Sequence, residues 1–187
     1  MKPADTPWHV PVLLGEIPET GLHRQIEADE GTRAAIAQLA RLQGLSMLRA
    51  AFDLKPSGDQ IHVTGRVRAT VGQTCVVTLE PVENAIDEPV DIMFSENPPP
   101  PAAHEPAGEE HENMEIDPPE QILGGAIDLG ALATEFMILA LDPYPRKPGA
   151  VFESLIAPDD PADHPFAGLA ALKEGHSPKN PRKSKGK

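Results

Sequence analysis

Residues Gly65 to Val82 read GRVRATVGQTCVVTLEPV, and their alternation decides the fold class. Gly65, Val67, Ala69 and Val71 alternate with Arg66, Arg68 and Thr70, the period of two expected of a strand with one buried face. Val76, Val77, Thr78 and Leu79 continue in residue types that suit a pleated, half-buried surface. Pro81 has no backbone donor and is expected to end the ladder. The stretch therefore reads as a central sheet element, and it carries the only cysteine, Cys75.

Upstream, Leu48, Ala50, Phe52 and Leu54 alternate with Arg49, Ala51 and Asp53, and Lys55-Pro56-Ser57-Gly58-Asp59 supplies a turn. Ile61 to Val71 then resumes the alternation, which predicts a hairpin with one apolar face. Its other face carries Arg49, His62, Arg66 and Arg68. Further back, Trp8–Leu14 and Leu22–Ala28 read as strands separated by the turn formers Gly15, Pro18 and Gly21, with Pro11 favouring an edge. Asp29 or Thr32 can cap a helix running to about Gln43, stopped by Gly44, with Ala35, Ile36, Leu39, Ala40 and Leu42 as its apolar stripe.

Downstream, strands at Val76–Leu79 and Val90–Phe94 are expected to complete an antiparallel sheet. The pattern stops at Ser95. From there to Asn113 prolines, glutamates, alanines and glycines offer too little apolar area to offset ordering entropy. Met114–Asp117 reads as a brief strand. Asp128 caps a second helix, Leu129 to about Leu141, with Leu132, Phe136, Leu139 and Ala140 on one side, and Asp142–Gly149 ends it in a proline-stiffened segment. Pro165–Leu172 is an apolar patch able to form a short docking helix, followed by SPKNPRKSKGK. The expected architecture is a single α+β domain over residues 1–172, an antiparallel sheet covered by two helices. A disordered acidic, proline-rich insertion occupies 95–113 and a disordered basic tail occupies 173–187.

The totals fit one compact body of roughly 120–140 residues, because 22 prolines and 15 glycines limit regular structure in a chain of 187. One cysteine excludes an intramolecular disulfide or a multi-thiolate cluster and suits a reducing cytosol. No export signal is expected near Lys2, Pro3, Asp5 and Pro7, and the longest apolar run, Phe136–Leu141, is too short to cross a bilayer, so a cytoplasmic location is expected. The net charge of -13 is unevenly placed. Glu83 to Glu120 holds twelve acidic residues and no Lys or Arg, whereas Lys173 to Lys187 holds six basic residues against Glu174.

Catalytic and metal chemistry find little support. Cys75 reads as a buried small hydrophobe. His104 and His111, among Glu105, Glu109, Glu110 and Glu112, form the one close set of metal-ligand types, but in a segment poor in surrounding structure, so a solvated loop is expected. No G-x-S-x-G, phosphate-cradling glycine loop or H-E-x-x-H occurs. No cofactor and no enzymatic role are expected. Phosphate contacts are the remaining candidates: Arg49, Arg66 and Arg68 on one sheet face, Arg146 and Lys147 after the second helix, and Lys179, Arg182, Lys183, Lys185 and Lys187 in the tail. The plainer reading of the sheet arginines is a solvated face, and the tail is the stronger nonspecific binder.

The run Arg66–Val82, containing VRATVGQTCVVTLEPV, resembles the middle motif of the YceD-type family of large ribosomal RNA subunit accumulation proteins in its alphaproteobacterial form. Ile127–Gly149, IDLGALATEFMILALDPYPRKPG, is similar to that family's helix and closing motif, and His164–Lys173, HPFAGLAALK, to its carboxy-terminal signature. Many members carry a cysteine pair in the middle motif and more after the second helix, whereas here Cys75 stands with Thr78 and the Asp142–Gly149 segment at those places. The resemblance implies a non-catalytic ribosome-biogenesis factor that binds pre-ribosomal RNA or a large-subunit protein. An adaptor whose acidic arm, Glu83–Glu120, engages a basic partner is the alternative.

Overall fold

In the computed structural model the described residues are 6–99 and 118–152. The chain divides into units Met1–Ala150 and Val151–Lys187, and every element below belongs to the first. The hairpin read from the sequence is its centre: β3 (Gly44–Ser57) and β4 (Gln60–Thr74) pair antiparallel, with Ala50 opposite Val67 and Leu54 opposite Val63. Strand β2 (Leu22–Glu27) flanks β3, and β5 (Pro81–Ser95) runs antiparallel to β4 along its length. Two residues of β6 (Glu120–Gln121) close the far edge in parallel with Phe94 and Ser95, so the sheet is mixed, in the order β2-β3-β4-β5-β6. Strand β1 (Pro11–Leu13) pairs apart from it with β7 (Ala126–Asp128).

The inner sheet face buries Leu48, Phe52, Leu54, Val63, Val67 and Val71 completely. Helices α1 (Glu30–Leu39) and α2 (Leu129–Leu139) pack on that face through Ile36 and through Leu129, Leu132, Ala133 and Met137, all in one core. The result is an α+β protein with α1 and α2 on one layer and, among the described residues, the opposite sheet face open. Asp29 caps α1 by accepting from Thr32 N–H at 2.7 Å, and that bond, aided by Arg33, holds its carboxyl below the usual range.

Several expectations are corrected. Val76–Leu79 is a turn, and the strand resumes at Pro81, which needs no donor at the first position of β5. The interior Pro89 is accommodated because β5 pairs there only with β4; its other edge meets β6 only at Phe94 and Ser95. Glu83, Asp87, Glu88 and Asp91 therefore belong to a strand, not to a free acidic arm, and Ser95 is a buried strand residue rather than the start of an insertion. Helix α1 ends at Leu39, short of Gln43. Arg41 adopts φ 55°, Arg41 N–H bonds Gln38 O and Leu42 N–H bonds Ala37 O, the paired bonds of a Schellman ending that relieves Gly44 of any stop role. Leu39 and Leu139 are exposed rather than on the buried stripes. The expected strand at Met114–Asp117, most of the 95–113 insertion, the Pro165–Leu172 patch and the basic tail lie outside the described residues.

Strand β3 begins earlier than its alternation suggests because the register shifts between Leu45 and Met47. Ser46 is the extra residue of a bulge that brings Leu45 and Leu48, an odd distance apart, onto the same buried face. Gly65 faces Phe52 across the hairpin, and a Cβ built on it meets the Ala51 carbonyl oxygen and the Phe52 ring inside contact distance. Gly65→Ala is therefore expected to cost about 1–3 kcal/mol by overpacking, measured as a lower urea midpoint with unchanged m-value.

Candidate nucleic-acid interface

The open sheet face follows from register. Residues 49, 68 and 87 stand in one row across β3, β4 and β5, and Glu27 of β2 extends it, giving Glu27–Arg49–Arg68–Asp87. The neighbouring row places Arg66 between Ala51 and Pro89. Three guanidinium groups thus gather at the middle of the sheet. Asp87 holds two of them: Arg66 Nε donates to Oδ1 at 2.7 Å and Arg68 Nε to Oδ2 at 3.3 Å. The Arg66 bond, strengthened by the charges of Arg66 and Arg68, depresses the Asp87 carboxyl. Both bonds use Nε, which leaves the Nη forks of the two arginines for a further acceptor. Arg66 and Arg68 are about half exposed, at 53% and 49%.

Imidazoles and carboxylates stand side by side on the rest of this face: His23 bonds Asp53 at 2.9 Å and His62 bonds Asp91 at 2.6 Å. At the arginine cluster three cations meet two carboxylates, those of Asp87 and Glu27.

Arg146 and Lys147 are placed elsewhere. Val76 N–H bonds Pro145 O at 2.9 Å, and Lys147 N–H bonds Cys75 Sγ at 3.3 Å, which fixes the proline-stiffened segment against the β4–β5 turn. From Arg68 to Thr74 the strand rises roughly 20 Å, so the two basic groups do not share one surface patch. Lys147 Nζ is engaged by Glu80 at 2.8 Å, which raises the Lys147 pKa and lowers that of Glu80. Arg146 is exposed. The tail candidates Lys179, Arg182, Lys183, Lys185 and Lys187 lie outside the described residues.

Cys75 is fully buried, though in a turn and not in a strand. Its sulfur accepts from Lys147 N–H and, at 3.5 Å, from Thr78 N–H, and these bonds bring the thiol down from 9.0 to about 6. The sulfur therefore joins two segments 72 residues apart. Nothing in the local pattern signals this role beyond the apolar type of the neighbours of Cys75. Among the described residues no group of three His, Cys, Asp or Glu could hold a metal ion. His104 and His111 lie outside them. Among the described residues no helix is long and apolar enough to cross a membrane.

A mixed five-stranded sheet, helices on one layer and an arginine-bearing open layer define a small α+β protein whose exposed strand face is its most distinctive surface. Residues 63–173 match the model of the family described as large ribosomal RNA subunit accumulation protein YceD. The match spans more than half of the chain, and the chain belongs to that family. It begins in β4 and so includes both arginines held by Asp87, the Cys75 turn and α2. No curated protein and no solved structure matches the chain.

Proposed function

We propose that the protein supports accumulation of large-subunit ribosomal RNA in the cytoplasm by binding precursor RNA, without turnover, through the arginine cluster of the open sheet face. The observation that carries this reading is the placement of Arg49 directly opposite Arg68, with Arg66 in the next row. Like charges facing each other across strands are destabilising, and an exposed ion pair to Asp87 recovers little. A surface serving only solubility needs no such arrangement. The cluster suits an anion instead, because guanidinium forks match phosphate oxygens and Asp87 already fixes the orientation of two of them. No nucleophile with a neighbouring base is assembled among the described residues of this face, which favours binding over chemistry.

Filter binding across a salt series tests the proposal. The R49Q/R66Q/R68Q chain should bind a large-subunit precursor fragment about tenfold more weakly, with a log–log salt slope lower by about 0.7 to 0.9 for each phosphate no longer neutralised. It should also discriminate less between that fragment and random RNA. Deleting Ser177–Lys187 should flatten the slope while leaving discrimination intact. In cells, depletion should lower large-subunit relative to small-subunit RNA. Unchanged binding by the triple variant would remove the sheet face from the reading, and an unchanged RNA ratio would remove the biological role.

A further inference from the structure

Beyond the open sheet face, the molecule has a second distinctive surface on the opposite layer. A groove of about 780 Å³ runs between α2, the end of β5 and the β6–β7 connection. Ile92 and Phe94 form its floor, with Leu132, Phe136 and Leu139 of α2 as one wall and Leu123 facing them. The spacing of 132, 136 and 139 is one helical stripe, yet Leu139 is 74% exposed and Leu123 58%. Two large apolar groups thus stand in water at the mouth of a concave surface.

The charges around the groove are of one sign. Its lining includes Glu120, Asp128 and Glu135 and, among the described residues, contains no lysine or arginine. Asp128 is engaged by His9, whereas Glu120 and Glu135 are exposed and form no ion pair with the described residues. An apolar floor with free carboxylates on the rim complements an apolar stripe bordered by cations, and it repels an anionic polymer.

We propose that this groove docks a basic amphipathic helix of a protein partner, whose apolar side chains at i, i+3, i+4 and i+7 enter between α2 and β5 while flanking lysines or arginines meet Glu120 and Glu135. The inference does not depend on RNA binding at the arginine cluster, since the two surfaces lie on opposite sides of the sheet. Together they let one molecule carry an RNA segment and a basic protein segment at once.

Calorimetric titration of the full chain with a synthetic leucine–lysine helix tests it, beside a peptide of the same composition whose leucines are scattered around the helix. The striped peptide should bind at least about tenfold more tightly than the scattered one. L123D/L139D should weaken its binding by about tenfold, and both positions are exposed enough for the fold to be kept, as the melting transition will verify. E120K/E135K should weaken it as well and remove most of its salt dependence. RNA binding by the two double variants should match that of the unmodified chain, which separates failure here from failure at the arginine cluster. Equal binding of both peptides would reduce the interaction to bulk charge and overturn the proposal. So would wild-type affinity in L123D/L139D, or a chain that is dimeric alone and monomeric as L123D/L139D, which assigns the groove to a second copy.

Discussion

Replacing Phe52 by alanine is expected to remove about 3–5 kcal/mol of stability, the range for deleting a buried aromatic ring. Phe52 has no exposed surface and is, among the described residues, the largest of the fully buried side chains. It lies at the middle of β3 opposite Gly65, where the missing side chain leaves room for the ring beside the β4 backbone. Neighbours have little freedom to collapse into the space, because Leu54 on β3 and Val63 and Val67 on β4 are held in fixed register. Since native domains are stable by only about 5–15 kcal/mol, the variant should be partly unfolded near body temperature. Urea denaturation read by circular dichroism measures the loss, and a cost below about 1.5 kcal/mol would show that the ring is not the central packing element.

The same hairpin shows why so much of the fold is legible in the sequence. Leu48 to Leu54 and Ile61 to Val71 keep strict alternation because one face is buried and the other wet, and that constraint writes itself into every second residue. Caps are readable too: Asp128 directly precedes the apolar run of α2, Asp29 is one of the two caps offered for α1, and each accepts the expected backbone bonds. What escapes is decided by partners distant in sequence. Val76, Val77 and Thr78 have strand-forming side chains, yet Val76 N–H is taken by Pro145 O and Leu79 adopts φ 60°, so tertiary bonding overrides local preference. The first half of β5, before the expected strand at Val90–Phe94, escapes because Pro81 and Pro89 interrupt it; Pro81 is tolerated at the first position of the strand and Pro89 because the outer edge is largely unpaired.

The candidate site divides in the same way. That Arg49, Arg66 and Arg68 share a face follows from their parity along two strands, which the sequence displays. That Arg49 stands opposite Arg68, and that one Asp87 carboxylate grips two guanidiniums, depends on inter-strand register, which runs unbroken from the Ser57–Gln60 end of the hairpin past Arg49. The groove is less visible still. Its walls come from α2 and β5, and helical periodicity puts Leu139 on a buried stripe that the packing leaves in water.

Asp128→Ala is expected to cost about 2–3 kcal/mol at neutral pH, because one carboxylate ties the start of α2 to residues 9 and 10. Its Oδ1 accepts from Gly130 and Ala131 N–H, capping α2, and from Val10 N–H at 2.9 Å, while Oδ2 meets His9 Nδ1 at 2.6 Å. Loss of a cap costs about 1 kcal/mol, and a part-buried Val10 donor left without its acceptor adds about 1–2 kcal/mol. Burial works against the charge on Asp128, but the bonds from His9, Val10 and Ala131 outweigh it and keep the carboxyl below its usual value of 3.8. A folded pKa below the unfolded one means the contribution is complete above about pH 4 and is lost as the pH falls through the folded value. The stability gap between the unmodified chain and D128N should therefore narrow as the pH falls below about pH 4. Asn keeps an acceptor for the cap, so D128N should be less damaging than D128A. Urea midpoints of the three chains on either side of about pH 4 measure both effects; a gap that does not narrow below about pH 4 would show that the carboxylate is not held in its charged form by these bonds.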